Sequence, residues 1–255
     1  MGSGVKTGWR LGTVFTAAAI FMGLAHAGDV SVAVATNFTA PMQKIATVFA
    51  QDTGHTARLS FGATSKLYAQ IRNGAPFQLL LAADEATPAR LEQEGLALAG
   101  SRFTYAVGRL VLWSKRPGLV DDKGDVLRQG AFAHLAVADP RLAPYGAAAI
   151  QTLEHLGLLS RLQPRMVQGE SIAQTYQFVA TGNAELGFVA QSQVMSAGRL
   201  TQGSGWLVPA HLHAPIRQDA LVLARGKDHP AALALAAFLQ GDKARAIIRS
   251  FGYEQ

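Results

Sequence analysis

Residues 60–71 read SFGATSKLYAQI, and this stretch decides the fold because the chain changes there from an extended run to a helix. The extended run stops at a glycine and passes through small hydroxyl residues before the helix begins. Leu67 and Ile71 are four residues apart, so they share one helix face. Thr64 and Ser65 therefore lie at a helix N-terminus. Their hydroxyls either cap free N–H groups or share those donors with a bound anion.

Strands and helices alternate on both sides of this turn. A β-branched run at residues 29–35 leads into an amphipathic helix, and a near-continuous apolar run occupies residues 77–83. Apolar runs of this kind are typical of parallel strands that are covered on both faces. Asp84 is expected to cap a helix that extends through Leu91, and one longer strand is predicted at residues 105–113. The pattern indicates an α/β layer with a parallel sheet.

The middle of the chain repeats this alternation, with strands predicted at residues 135–138, 165–168 and 186–190. A last strand and two helices follow near the C-terminus. We therefore predict an α/β protein with two lobes, each a mostly parallel sheet with flanking helices. The predicted boundaries are residues 28–108 and 216–255 for the first lobe, and residues 109–215 for the second.

Residues 1–27 have the organisation of a secretory signal peptide. Lys6 and Arg10 give a positive start, an apolar stretch follows, and Ala25-His26-Ala27 supplies a small-x-small pattern, so we expect cleavage after Ala27. An uncleaved N-terminal anchor is the alternative. The chain contains no cysteine, which excludes disulfides, thiolate metal sites, a cysteine nucleophile and a lipid-modified cysteine after the signal. The expected location is the periplasm, without a lipid anchor.

The formal net charge of the 255 residues is +6, which becomes +4 when Lys6 and Arg10 are removed with the signal. The basic residues are scattered, without runs or interleaved aromatic residues. A nucleic-acid surface is therefore unsupported, whereas a small anionic ligand is compatible with the charge.

Four strand-to-helix turns are predicted to face one cleft. In open α/β sheets, ligands bind at the carboxyl ends of the strands, where helix N-termini converge. Each turn offers unpaired backbone N–H groups and the positive end of a helix dipole. The sum is a set of donors with little formal charge, suited to an oxyanion that only accepts hydrogen bonds. The turns are Thr36-Asn37, Ala63-Thr64-Ser65, Pro144-Tyr145-Gly146 and Glu170-Ser171-Ile172.

Glu170 is the only carboxylate in these turns. A carboxylate inside the pocket would repel a dianion and would favour a protonated anion. We therefore predict that Glu170 points outward, as a solvated charge in the first turn of its helix. Lys66 is expected to lie outside the pocket as well.

Five ordered segments carry a family resemblance: VSVAVATNFTAPMQKIATVF, FGATSKLYAQIRNGAPF, LAADE, LAVADPRLAPYG and ELGFVAQSQ. Together they resemble the periplasmic molybdate-binding proteins of ABC transporters, from about Val30 to Tyr253. The family implies a two-lobe, type II periplasmic-binding fold that closes on molybdate or tungstate. It also implies a membrane permease of an ABC transporter as partner. The further expectations are a monomer, no cofactor, no enzymatic activity and no nucleic-acid partner.

Carried over by motif position, the resemblance gives a set of ligand contacts from all four turns: Asn37, Thr64, Tyr145 and Ile172, with Thr36 adjacent and Ser65 as a further candidate. Tyr145 and Ile172 would contribute mainly backbone N–H groups, which explains why an apolar residue is acceptable there. Molybdenum would be held only as the oxyanion, with no direct protein ligand to the metal.

The chain departs from the family at two of these positions and at one further position. Many members have serine where this chain has Asn37 and Thr64, and some use a tyrosine hydroxyl where this chain has Ala190. That donor is therefore missing, and we expect Asn37 or Thr36 to replace it.

Two alternatives differ from this interpretation. The first is a receptor for another oxyanion such as sulfate, because selectivity among dianions would depend on the size of the cavity. The second is a secreted serine hydrolase, because residues 169–173 approximate the G-x-S-x-G motif around Ser171, with His211, His213 and Asp219 downstream. The last residue of that motif departs from the pattern, so we favour the receptor. His211 and His213 could also ligate a metal, but no third ligand lies near them in the sequence.

Overall fold

The computed structural model describes residues 1, 2, 4, 28–196 and 198–254. Nearly all of the predicted signal peptide and its cleavage site therefore lie outside the described residues. In the described part of the chain, no helix combines the length and the apolar character needed to cross a membrane.

Two five-stranded sheets form the frame of the molecule. The strands are β1 (Asp29–Ala35), β2 (Thr56–Gly62), β3 (Leu79–Leu81), β4 (Phe103–Gly108), β5 (Leu110–Ser114), β6 (Leu135–Ala138), β7 (Met166–Gly169), β8 (Leu186–Ala190), β9 (Met195–Ser196), β10 (Arg199–Leu200), β11 (Ser204–Leu207) and β12 (Ile216–Val222). The helices are α1 (Thr39–Thr53), α2 (Thr64–Arg72), α3 (Ala86–Gln93), α4 (Val126–Gln129), α5 (Pro144–His155), α6 (Leu159–Leu162), α7 (Ile172–Ala180), α8 (Gln191–Val194), α9 (Pro230–Gln240) and α10 (Asp242–Ser250).

The first sheet has the order β2-β1-β3-β12-β4 and the second the order β11-β5-β8-β6-β7. In each sheet, the strands that precede the predicted turns pair in parallel, and two further pairings are antiparallel. The predicted α/β class is therefore confirmed, and the mostly parallel sheets are more accurately mixed sheets. The antiparallel pairs involve β12 in the first sheet and β5 in the second.

Helices cover both faces of each sheet. In the first lobe, α1, α9 and α10 pack on one face and α2 and α3 on the other. On α1, Met42, Ile45 and Phe49 are fully buried, and each burial contributes about 1.5–3 kcal/mol of hydrophobic stabilisation. In the second lobe, α5 packs on one face and α7 on the other. Apolar residues on both faces explain the near-continuous hydrophobic strands.

The expected single strand at residues 105–113 is two strands in different sheets. Phe103–Gly108 pairs with β12, and Leu110–Ser114 pairs with β8 and β11. The chain thus crosses between lobes at Arg109. Both strands are largely buried, so the apolar pattern continues across the crossing and hides the change of partner.

Asp84 differs slightly from its predicted role. Helix α3 begins at Ala86, with Glu85 rather than Asp84 at the N-cap position. The Asp84 carboxylate nevertheless accepts a hydrogen bond from the N–H of Thr87 at 2.7 Å, and so satisfies a donor in the first turn of the helix.

Candidate functional site

A small cavity lies where the carboxyl ends of the parallel strands of both sheets meet. The centre of a water-sized sphere has about 10 Å³ of free volume inside it. The lining residues are Ala35, Thr36, Asn37, Gly62, Ala63, Thr64, Ala83, Ala143, Pro144, Tyr145 and Ile172. The structure therefore brings together five of the predicted site residues, with at least one from each of the four turns.

Strand register explains this convergence in the first lobe. Strands β1 and β2 run in parallel with Ala35 opposite Gly62, so both end at the same edge of the sheet. In the second lobe, Ala138 at the end of β6 pairs with Gly169 at the end of β7. Each strand is followed by a turn at this edge, so the next helix begins with its N-terminus at the cavity.

Three helix N-termini supply unpaired donors. Thr64 and Ile172 are the first residues of α2 and α7, and Tyr145 is the second residue of α5. Amides in the first turn of a helix have no acceptor within that helix. Within the described chain, the backbone N–H groups of these three residues have no other acceptor either. The three N–H groups are therefore available to an anion in the cavity.

The cavity wall carries no formal charge. None of its described lining residues is acidic, basic or histidine. Helix dipoles and neutral donors therefore provide the favourable potential for an anion. Among the described residues, no three His, Asp or Glu side chains are grouped as metal ligands.

The Thr64 hydroxyl is oriented by the neighbouring strand end. Its Oγ1 accepts a hydrogen bond from the backbone N–H of Ala83 at 3.0 Å. A hydroxyl has one proton and two lone pairs, so this contact leaves the proton of Thr64 free to donate. Thr64 does not cap α2, because the N-cap is Ala63 and no side-chain cap is formed.

The Asn37 side chain is engaged behind the cavity. Its Nδ2 donates to Oε1 of Gln218 at 2.7 Å and to the hydroxyl of Tyr253 at 3.0 Å. The backbone carbonyl oxygen of Asn37 accepts from the hydroxyls of Tyr253 and Ser192, each at 2.8 Å. Both Nδ2 protons of Asn37 are thus committed to protein partners, and the donor that Asn37 can offer to the cavity is its backbone N–H.

The Tyr145 hydroxyl also points away from the cavity, toward the strands that join the lobes. It accepts a hydrogen bond from Nε2 of Gln218 at 3.2 Å. Burial raises the pKa of Tyr145 well above its ordinary value, so the phenol stays neutral. This placement agrees with the expectation that Tyr145 offers its backbone N–H to a ligand.

Ser65, the further candidate, is not among the residues that line the cavity. Its hydroxyl donates to the carbonyl of Leu142 at 3.1 Å, and its backbone N–H lies 3.4 Å from the same oxygen. The second residue of α2 therefore faces the opposite lobe. Thr36, in contrast, lies at the cavity, and its hydroxyl has no hydrogen-bond partner in the described chain.

An ion pair spans the rim of the cleft. Lys66 on α2 and Glu170 before α7 are 2.5 Å apart, with side chains 48% and 68% exposed. The prediction that Glu170 points outward is confirmed. Together with the contact between Ser65 and Leu142, this pair connects segments that follow strands of the two different sheets.

Sequence reasoning missed the residues behind the cavity. Gln218 on β12, Tyr253 near the C-terminus and Ser192 on α8 are all buried and contact Asn37 or Tyr145. Gln218 offered one signal, since it is an uncharged polar residue in a strand whose last three residues are apolar. Tyr253 and Ser192 offered none.

The residues of the hydrolase alternative have other partners. Ser171 is the N-cap of α7, and its Oγ accepts a hydrogen bond from the N–H of Gln174 at 3.2 Å. The Asp219 carboxylate bonds Arg102 at 2.9 Å and Thr104 at 2.7 Å. His213 Nδ1 lies 2.8 Å from the Ala214 carbonyl. These contacts do not form a chain from serine to histidine to acid.

The family model for bacterial extracellular solute-binding proteins matches residues 30–254. The chain is 60% identical to the molybdate-binding protein ModA of Azotobacter vinelandii, over 90% of this chain and 91% of that one. It is 50% identical to the molybdate-binding protein ModA of Rhodobacter capsulatus, over 93% and 94% of the two chains.

A solved structure gives the same result. The periplasmic molybdate-binding protein of Azotobacter vinelandii superposes with a TM-score of 0.86 at 43% identity, covering 89% of this chain and 99% of that one. The family match, the two relatives and this superposition extend over the sheets, the four turns and the cavity between them. The chain therefore belongs to the bacterial extracellular solute-binding proteins and, among them, to the ModA family.

Proposed function

We propose that this protein is a periplasmic receptor that binds molybdate, and also tungstate, and delivers the anion to the membrane permease of an ABC transporter. The observation that carries the proposal is the cavity, whose polar groups are neutral donors supplied by helix N-termini of both lobes. The names of the relatives, both molybdate-binding proteins, support the choice of ligand.

The donor set suits a fully deprotonated tetrahedral dianion. Such an ion only accepts hydrogen bonds, so an acceptor in the wall would be left facing a negative oxygen. Glu170, the carboxylate of the four turns, is not among the residues that line the cavity and is paired with Lys66. Uncharged donors stabilise the bound dianion without requiring a desolvated cation.

We assign the contacts to six donors. Four are the backbone N–H groups of Asn37, Thr64, Tyr145 and Ile172. The other two are the hydroxyls of Thr64 and Thr36. Thr36 is the better replacement for the tyrosine donor missing at Ala190, because the Asn37 carboxamide is already used by Gln218 and Tyr253. Ala190 itself is buried at the end of β8, where its N–H donates to Gln193.

Closure of two lobes would enclose the anion. We propose residues 28–108 with 216–255 as one lobe and residues 109–215 as the other, moving about the two crossings between the sheets. The two crossings are adjacent in space, since Gly108 is paired with Ile216. The contacts between Ser65 and Leu142, and between Lys66 and Glu170, would form only on closure.

The remaining parts of the proposal concern the mature protein. We propose cleavage after Ala27, a free monomer without a lipid anchor, and no catalytic activity. The absence of cysteine and the capping role of Ser171 support these points.

Isothermal calorimetry on the purified mature protein tests the function, with molybdate, tungstate, sulfate and phosphate as ligands. Calorimetry is preferable to tryptophan fluorescence, because Trp113 and Trp206 are buried in the second lobe and neither lines the cavity. Tight binding of molybdate and tungstate with negligible sulfate binding is expected. A preference for sulfate would favour the other oxyanion receptor, and no molybdate binding would overturn the proposal.

A further inference from the structure

A buried polar cluster lies directly behind the cavity and makes no contact with the space for the ligand through its side-chain polar groups. We call it the hinge cluster; it consists of Asn37, Tyr105, Tyr145, Ser192, Gln218 and Tyr253, all less than a tenth exposed. Its members come from both lobes and none is charged. Burying a polar group costs free energy unless the group is hydrogen-bonded. The hydrogen bonds inside this cluster therefore indicate which of its residues depend on one another.

Gln218 is the centre of the hinge cluster. Its Oε1 accepts a hydrogen bond from Asn37 at 2.7 Å and lies 3.1 Å from the Tyr105 hydroxyl. Its Nε2 donates to the Tyr145 hydroxyl at 3.2 Å. Asn37 belongs to the first lobe and Tyr145 to the second, and both line the cavity. One carboxamide therefore connects a site residue of each lobe.

The same side chain is linked to a third site residue. The Tyr105 hydroxyl donates to the Ala82 carbonyl at 2.8 Å. The next residue, Ala83, donates its N–H to the Thr64 hydroxyl at 3.0 Å. The Tyr105 hydroxyl thus lies between two acceptors, the Ala82 carbonyl and Oε1 of Gln218, and its single proton is shared between them.

We propose that Gln218 is a positioning residue of the oxyanion site, which holds the donors of Asn37 and Tyr145 in the closed arrangement without touching the ligand. A neutral carboxamide accepts on one side and donates on the other, which matches the amide of Asn37 and the phenol of Tyr145. A hydrocarbon would leave both groups unpaired in a buried space. This inference rests on the proposed function.

The test measures molybdate affinity by calorimetry for the wild-type protein and the variant Gln218→Met. The matched control is Gln78→Met. Oε1 of Gln78 accepts a hydrogen bond from the backbone N–H of Ser31 at 2.7 Å. Gln78 directly precedes β3 of the same sheet, at the end of that strand that is away from the cavity. We expect the dissociation constant of Gln218→Met to rise at least tenfold and that of Gln78→Met to change less than twofold. Thermal unfolding of the ligand-free proteins reports any general loss of stability.

The energetic coupling between Gln218 and Tyr145 in molybdate affinity provides a second test. A purely structural role of Gln218 would not produce such coupling. Tyr145→Phe removes the phenolic hydroxyl and keeps the backbone N–H. If Gln218 acts through Tyr145, the double variant should lose less affinity than the product of the two single effects. Independent, multiplicative losses would contradict the proposed connection.

The outcomes separate this inference from the proposed function. A wild-type protein that does not bind molybdate overturns both. Wild-type binding with unchanged affinity in Gln218→Met overturns the positioning role alone. If Gln218→Met does not fold, the affinity of Tyr253→Phe provides the test. The Tyr253 hydroxyl accepts a hydrogen bond from Nδ2 of Asn37 and donates one to the backbone carbonyl of Asn37. A rise of at least fivefold in its dissociation constant supports the role of the cluster, and unchanged affinity overturns it.

Discussion

The backbone N–H of Ala83 donates to the hydroxyl oxygen of Thr64 at 3.0 Å, across the gap between the end of β3 and the start of α2. This contact fills one lone pair of the hydroxyl and leaves its proton free for an acceptor in the cavity. Thr64 is therefore the side chain whose donor role is best defined by the structure.

Replacing Thr64 with alanine should weaken molybdate binding by about tenfold to a hundredfold. The reason is that a hydrogen bond to a charged group contributes about 1.5–3 kcal/mol. Thr64→Ser keeps the hydroxyl and should retain most of the affinity. Ser171→Ala is the comparison, because Ser171 caps α7 from outside the cavity, and it should change affinity less than threefold. Calorimetry decides, and equal losses in the alanine variants would refute the assignment.

Gly108 has no room for a side chain in the closed arrangement. A methyl group placed there would lie 2.1 Å from the Tyr145 hydroxyl oxygen and 2.6 Å from Gln218 Nε2. Because Tyr145 belongs to the other lobe, the overlap penalises the closed form. Gly108→Ala should therefore raise the dissociation constant for molybdate at least tenfold, in line with overpacking costs of about 1–3 kcal/mol.

Adding Tyr145→Phe to Gly108→Ala tests the cause. The second change removes the oxygen atom nearest to the added methyl, so part of the lost affinity should return. Gly241→Ala serves as the control, since its added methyl would lie no closer than 3.3 Å to another atom. If the double variant recovers no affinity for molybdate, the loss in Gly108→Ala is not caused by overlap with the Tyr145 hydroxyl.

The local turns were predictable from sequence, whereas the surroundings of the site were not. Thr64 follows from a strand that stops at Gly62 and a helix that starts directly afterwards, which is a local signal. Asn37 also has a local signal, but its bond to Gln218 joins residues 181 positions apart, and its bond to Tyr253 joins residues 216 positions apart. No periodicity reports such pairings.

Two features that the sequence did not reveal share this cause. Ser65 is adjacent to Thr64, but no local signal shows that its hydroxyl donates to Leu142, which follows a strand of the other sheet. The strand at residues 105–113 was predicted as one element because both halves are apolar. In each case the decisive information is which distant segment lies opposite, and hydrophobic spacing specifies burial without specifying the partner.

Lys66 and Glu170 should make a small, salt-dependent contribution to affinity. Their ion pair is largely exposed, and exposed pairs contribute about 0–1 kcal/mol. Lys66→Gln leaves an uncompensated carboxylate beside a dianion site, whereas Glu170→Gln leaves a cation there. We therefore expect Lys66→Gln to weaken molybdate binding more than Glu170→Gln. The dissociation constants of the two variants should differ by up to about fivefold.

Ionic strength provides the check on this difference. Calorimetry at low and high sodium chloride should show the two variants converging as salt screens the remaining charge. An equal effect of both substitutions, or a difference that does not depend on salt, would show that the pair acts by packing instead of charge.

Tyr253 should make stability depend on pH in the alkaline range. Burial raises the pKa of its phenol from 10.0 to about 12. The folded state thus holds the proton more tightly than the unfolded state, so the resulting stability is complete below pH 10 and is lost as the pH rises through about 12. A shift of this size corresponds to about 3 kcal/mol.

Tyr253→Phe cannot ionise at this position, so it should lose less stability than the wild-type protein over this range. At pH 8 we expect the variant to be less stable by about 1 kcal/mol, because Asn37 loses hydrogen bonds. Tyr105 and Tyr145 remain in both proteins and also have raised pKa values from burial. Urea unfolding at pH 8, 10 and 11.5 should therefore show the stability difference narrowing by pH 10 and reversing in favour of the variant by pH 11.5. A gap that stays constant would mean that Tyr253 ionises equally easily in the folded and unfolded chains.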